Sequence, residues 1–318
     1  MALDLKFVHS QFPTLDQNNF VYLDNAGGSL VLKRVVDRVS NHLLKTPVQH
    51  GASYSTSIEA SNRLSKSAKT IANLIGAVKA EEIIFGPSAT ILIKLLAESY
   101  GKFLTEGDEI IVSEVEHEAN RGAWENLSYK GVKIIPWALE DEKYTLSPES
   151  LKPLLSEKTK LVVVSHVSNI LGAINPIKKI TNLVHNHGAK VMVDGVAFSP
   201  HRRVDVKALG VDYYVFSFYK LFGPHLACLY GQHETLLKLP GINHKSIDEN
   251  RVPYKFQPGN PNYELAWGTG GIVEYLKKLG QRTLGNGSGI KASLDEAFEQ
   301  ISNHEQKLTK QLLDFLKT

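Results

Sequence analysis

The chain has 318 residues, 42% of them hydrophobic, which is enough to bury a large core and excludes an intrinsically disordered chain. Lys and Arg total 36 against 33 Asp and Glu, a net charge of +3 without basic runs, so neither nucleic acid nor an acidic membrane surface is an expected partner. Cys228, the single cysteine, excludes an internal disulfide and a cysteine-rich zinc site and points to a reducing compartment.

The N-terminus lacks the apolar core of a signal peptide, and no apolar run approaches the roughly 20 residues of a membrane span. The expectation is a cytoplasmic protein: an N-terminal arm at 1–20, a large domain at 21–284, then a linker and one helix of a second domain at 285–318. Residues 21–29, from Val21 to Ser29, predict a short strand running into a small-residue turn that serves either close approach to a ligand or chain reversal alone. Helical spacing follows at 31–44 and 58–75, the latter with Leu64, Ala68, Ile71, Ala72 and Ile75 on one face.

At 83–100 a strand, a Gly86-Pro87-Ser88 turn and a helix are predicted, which puts Ser88, Ala89 and Thr90 at a helix N-terminus. Such a terminus binds a phosphate or is simply capped by the hydroxyls. The next strand, within 109–121, exits through His117, an imidazole placed to stack on an aromatic cofactor or to sit solvated between Glu116 and Glu118. No His-Glu-x-x-His helix is present, and no metal site is expected. Residues 161–176 read as an apolar strand with a polar exit, where Asn169 serves a phenolic oxygen or its own loop.

A helix at 177–187 and Gly188 lead to the run Val191-Met192-Val193 and then Asp194, at the carboxyl end of a buried strand. The run from Tyr213 to Phe218 delivers Ser217, Tyr219 and Lys220 to the next strand end. Helices at 264–279 and 292–316 close the chain, with Gly285-Asn286-Gly287-Ser288-Gly289 as a linker between them. Alternating strands and helices give an α/β fold, a mainly parallel sheet covered on both faces.

A lysine and a carboxylate at neighbouring strand ends suit pyridoxal phosphate: the amine forms a Schiff base with the aldehyde, and the carboxylate keeps the pyridine nitrogen protonated. An ordinary strand-end salt bridge between Asp194 and Lys220 is the competing explanation. The balance changes with a set of motifs in order: Tyr22-Leu23-Asp24-Asn25-Ala26, Gly86-Pro87-Ser88-Ala89-Thr90, Glu116-His117-Glu118-Ala119-Asn120, Ser165-His166-Val167-Ser168-Asn169-Ile170-Leu171-Gly172, Val193-Asp194-Gly195 and Ser217-Phe218-Tyr219-Lys220. Together, over about residues 20–275, they resemble the class V aminotransferase family, in particular its cysteine desulfurase-like branch.

The resemblance implies fold type I, with a seven-stranded mixed sheet in the large domain and a homodimer whose active sites lie between subunits. It implies an enzyme acting on an amino acid, with cysteine desulfurase or lyase chemistry leading. Transamination, epimerisation, or a truncated noncatalytic dimerisation or regulatory protein are the alternatives. By the same resemblance Lys220 is the Schiff-base lysine, Asp194 the pyridinium partner, His117 the ring-stacking residue and Asn169 the partner of the ring hydroxyl. Phosphate falls to Ser88, Ala89, Thr90, Ser217 and Tyr219, with Thr269 reaching the partner subunit's phosphate.

The chain departs from the family at Ala197, where many desulfurases have Gln, and at Tyr219, where they usually have His. The family's small C-terminal domain, with its substrate-carboxylate arginine and persulfide cysteine, is expected to be mostly lacking, with Arg121 or Arg251 as loop substitutes for the arginine. Cys228 lies in the apolar run Leu226-Ala227-Cys228-Leu229-Tyr230 and is expected to be a buried small hydrophobe rather than a nucleophile.

Overall fold

The structure, a computed structural model, describes residues 3–17, 21–140 and 144–317. Seven strands follow the β-branched and aromatic runs: β1 (Ile83–Gly86), β2 (Glu109–Ser113), β3 (Lys133–Trp137), β4 (Thr159–Ser165), β5 (Lys190–Asp194), β6 (Tyr213–Ser217) and β7 (Ala227–Gly231). They form one sheet in the order β1-β7-β6-β5-β4-β2-β3, in which β7 alone runs antiparallel to its neighbours. The expected mainly parallel, mixed seven-stranded sheet is therefore what the chain builds.

The interior strands are apolar on both faces because helices cover both. The period of two sorts their side chains: Val162, Val164, Val191, Val193, Tyr214 and Phe216 enter one core layer, while Leu161, Val163, Met192, Tyr213 and Val215 enter the other. Helices Lys33–Lys45, Ser55–Ile75, Ile177–Asn186 and Tyr263–Leu284 supply the first layer, and Ala89–Phe103 and Glu118–Glu125 the second. The chain's opening helix, Leu5–His9, also joins the first layer, where Phe7 stacks on Tyr275 with ring centroids 6.1 Å apart. The expected arm at 1–20 is thus packed where it is described; residues 1, 2 and 18–20 lie outside the described residues.

Residues 21–29 form no strand, contrary to the sequence expectation. The amides of Gly27 and Gly28 turn back onto the Asp24 carbonyl, and the Tyr22 hydroxyl donates to the Gly28 carbonyl at 2.7 Å, so the segment closes on itself. Conversely, β3 stands out weakly in the sequence, since it is an edge strand with Lys133 and Pro136 exposed. Proline is tolerated at such an edge because no neighbour needs its missing N–H.

The last helix, Ile290–Leu316, packs its first half against Tyr263–Leu284 through Leu294, Ala297, Phe298 and Ile301. Its second half exposes Leu308, Leu312, Leu313, Phe315 and Leu316. Among the described residues no helix is long and apolar enough to cross a membrane, and no three His, Cys, Asp or Glu gather where they would hold a metal.

The two last helices cross at Gly280, where a Cβ would stand 1.8 Å from the Ser293 carbonyl oxygen. Backbone cannot yield as a side-chain tip can, so Gly280→Ala is expected to destabilise the fold by about 1–3 kcal/mol. A fall in urea midpoint with an unchanged slope checks this; an unmoved midpoint would mean that the helices separate freely.

Candidate active site

The parallel pairing of β4, β5 and β6 brings three strand ends to one level: Ser165 lies opposite Asp194, and Asp194 opposite Val215. Open α/β sheets bind ligands in the crevice beyond such ends. Here that crevice is lined by Ser88, Ala89, Thr90, His117, Asn169, Asp194, Ser217, Tyr219 and Lys220, together with Ala119, Ser165, Val167, Val196 and Ala197. Every site residue expected from the sequence except Thr269 meets there.

Thr269 lies away from this cleft. It is fully buried within helix Tyr263–Leu284, and its hydroxyl donates back to the Ala266 carbonyl at 2.7 Å. The adjacent Gly268, Gly270 and Gly271 press against Val35, Val39, Arg34 and Arg38 of the facing helix, so the residue packs one helix on another.

One wall of the cleft is the N-terminus of helix Ala89–Phe103. Ser88 caps it by accepting the Ile91 amide at 3.2 Å, and the first-turn N–H groups give this end its positive potential. Opposite lies the tight turn Phe218–Lys220, which follows β6 directly. Ser29 holds this turn: its amide (2.9 Å) and hydroxyl (2.8 Å) both donate to the Tyr219 carbonyl, and its hydroxyl accepts from the Phe222 amide at 2.7 Å. The Tyr219 ring stacks on His225 with centroids 5.2 Å apart. Thus the small-residue segment at 21–29 acts on the site by buttressing the lysine turn.

Asp194 forms the floor and is 7% exposed. Burial pushes its carboxyl up from 3.8 to about 7, opposed by a 2.9 Å hydrogen bond from the Val196 amide, reinforced by the negative Glu116 and relieved in part by Lys220. His117, the N-cap of helix Glu118–Glu125, turns its Nδ1 to accept the Ala119 amide at 3.1 Å and leaves its ring at the mouth. Beneath the cleft, His166 stacks on Phe198 with centroids 3.5 Å apart and meets the Tyr214 hydroxyl at 2.9 Å. Burial depresses His166 to about 3, so it is neutral.

Sequence reasoning did not assign Ser165, Glu116 or the His166–Phe198 stack. Ser165 was findable in principle, since it ends an apolar strand in the same way as Asp194. The pairing of His166 with Phe198 and Tyr214 joins three separate segments and has no local signature.

The residues fit pyridoxal phosphate. A buried carboxyl whose proton affinity is raised calls for a cation, which a protonated ring nitrogen provides, and a helix N-terminus with Ser and Thr hydroxyls suits a phosphate.

Comparison with known proteins gives the same direction. The pattern of the family Aminotransferase class-V matches residues 21–318. The chain belongs to that family. It is 36% identical over 322 residues to the aminotransferase-like protein FGM3 of Gibberella zeae, covering 99% of this chain and 76% of that protein. It is 39% identical over 284 residues to the cysteine desulfurase-like protein ustD of Aspergillus flavus, covering 87% of this chain and 64% of that protein. The apo structure of a cysteine desulfurase from Thermococcus onnurineus NA1 superposes with a TM-score of 0.86 at 27% identity, covering 100% of this chain and 77% of that one. The family assignment accounts for the order of the motifs and for the fold that carries them.

Of the two arginines considered as substrate contacts, Arg121 lies not in a loop but on helix Glu118–Glu125, where it donates to Glu125 at 2.6 Å, and Arg251 lies over the Tyr254 ring in a separate groove. Cys228 is fully buried, and burial pushes its thiol far up, as expected for a small hydrophobe in a central strand.

The raised Asp194 carboxyl gives the cofactor-free protein a definite pH dependence. Its folded form binds the proton more tightly than the unfolded chain, so its contribution to stability is complete below about pH 4 and is lost as pH rises through about 7. Cofactor-free Asp194→Asn should therefore be more stable than the parent at pH 8, by on the order of a few kcal/mol, with the gain vanishing near pH 4. Urea titrations at both pH values check this; equal stability of the two proteins at pH 8 would refute it.

Proposed function

We propose that the protein is a pyridoxal phosphate-dependent enzyme acting on an amino acid, with cysteine desulfurase or lyase-like chemistry, working as a homodimer with its active sites near the subunit interface. The observation that carries the reading is the convergence of Asp194, Lys220 and a helix N-terminus on one cleft. The family and its cysteine desulfurase-like relatives support it. The single, buried cysteine supports a cytoplasmic setting.

Bound in the cleft, pyridoxal phosphate supplies an aldehyde that condenses with amines and a ring that draws electron density from a substrate's α-carbon. Lys220 would carry it through Nζ. Asp194 would hold a proton at the ring nitrogen, His117 would cover the ring face and Asn169 would orient the ring hydroxyl. Ser88, Ala89, Thr90, Ser217 and Tyr219 would bind the phosphate with hydroxyl and backbone donors.

Desulfuration through a persulfide needs an exposed, ionisable thiol. Cys228 is neither, so this chain by itself is expected to bind cofactor without sustained persulfide formation. Borohydride reduction after reconstitution should add one reduced cofactor mass, mapped to Lys220; no adduct, or an adduct on another lysine, would overturn the assignment. Asp194→Asn should keep the adduct but slow α-proton exchange on any accepted amino acid by on the order of a hundredfold. With cysteine as substrate, sustained alanine and sulfide production abolished by Cys228→Ala would show that the thiol is reachable after all.

A further inference from the structure

Glu116 does not line the cleft, yet it sits directly behind it. It lies three residues past the end of β2 and crosses to the end of the parallel neighbour β4. There its Oε1 accepts the Ser165 amide at 2.6 Å, and its Oε2 accepts the Ser165 hydroxyl at 2.7 Å and Asn120 Nδ2 at 2.5 Å; the Ser113 hydroxyl also donates to Oε1. The Asn120 amide is oriented by Trp124, whose Nε1 donates to Oδ1 at 3.4 Å, so the NH2 group faces Glu116. Each carboxylate oxygen thus meets an obligate donor, which favours the charged form against a burial that pushes its pKa up.

Ser165 is both the residue Glu116 grips and the residue paired with Asp194 across β4 and β5. Two carboxyl groups therefore meet at the Ser165 end of β4, Asp194 facing the cleft with Lys220 as its cation and Glu116 behind it on Ser165. The other titratable groups nearby are turned away: His117 Nδ1 to the Ala119 amide, and His166 Nδ1 to Tyr214. A single ionised carboxylate at Asp194 is sufficient to pair with one ring nitrogen. A second negative charge held so close to the first is costly and needs a use beyond that pairing.

We propose that Glu116 is a positioning residue for the cofactor, fixing the Ser165 end of β4 against Asp194 and adding a second negative charge that raises the proton affinity of the groups in the cleft. The inference rests on the pyridoxal phosphate reading. Bracing two strands would need only hydrogen-bonding atoms at this position, whereas raising proton affinity needs the charge.

Glu116→Gln and Glu116→Ser remove the charge, while Glu116→Asp keeps it. Each variant and the parent are reconstituted with pyridoxal phosphate, reduced with borohydride and weighed, and in parallel the absorption of the bound cofactor is followed against pH. The expected result is an adduct on Lys220 in all, with the midpoint of the absorption change lowered by on the order of one pH unit in the neutral variants and held within about 0.3 unit of the parent in Glu116→Asp. An adduct with an unmoved midpoint in either neutral variant overturns the proposal and leaves the cofactor reading intact. Loss of the fold in both neutral variants, with Glu116→Asp folded, would reduce Glu116 to a brace and overturn it too. No adduct on the parent would overturn the cofactor reading and this inference with it.

Discussion

The structure depends on one costly feature, a carboxyl group buried at the end of a central parallel strand. Asp194 is only 7% exposed there, and the Val196 amide donates one hydrogen bond in compensation. The surroundings are shaped to hold it in place. Gly195 has no side chain because the Tyr214 ring lies 2.1 Å from where its Cβ would stand, and Tyr214 in turn meets His166. The loop after Asp194 is pinned by Phe198 on His166, and farther along by His201 and Arg202, each 2.6 Å from the Glu305 carboxylate on the last helix. Asp194 is therefore held from its strand, from the layer beneath it and from the far end of the chain.

Parallel pairing converts this local constraint into a site. Strands of one direction end at one level, so residues that are polar because they are last in their strands become neighbours although they are dozens of positions apart. Ser165, Asp194 and Ser217 share this origin. Lys220 comes from the turn immediately beyond Ser217, and Ser88 from the turn beyond β1, which lies across β7 from β6. Because β7 is antiparallel, it returns the chain to the opposite end and contributes no group to the cleft floor.

Legibility in the sequence followed how local each cause was. Apolar strands ending in a polar residue were readable, since strand, exit and helix cap all lie within a dozen residues; this gave Asp194, Ser217, Lys220 and the Ser88 helix start. The 21–29 segment was misread because its β-like residues find no neighbouring strand, and only the fold shows that its Ser29 braces the lysine turn. Thr269 carried a motif-like position but not a motif-like environment: glycines on either side admit a neighbouring helix, and that packing buries it. Glu116 escaped notice beside His117 because its partners on β4 lie 49 positions away.

The same geometry separates handling the cofactor from choosing the substrate. Groups suited to an anion, a cationic ring nitrogen and an aldehyde all occur among the residues lining the cleft, but among the described residues that lining includes no arginine and no cysteine. Cys228 pairs with Phe85 on one side and Phe216 on the other, inside a sheet covered on both faces, so bringing its thiol to a substrate would require opening the core. An amino acid held here would be oriented through its amine and α-carbon, while its carboxylate and side chain would be met by groups at or beyond the cleft mouth. A bidentate arginine fixes a carboxylate in a way that single backbone amides do not. Residues that choose among amino acids are accordingly to be sought around the mouth rather than among the groups assigned to the cofactor.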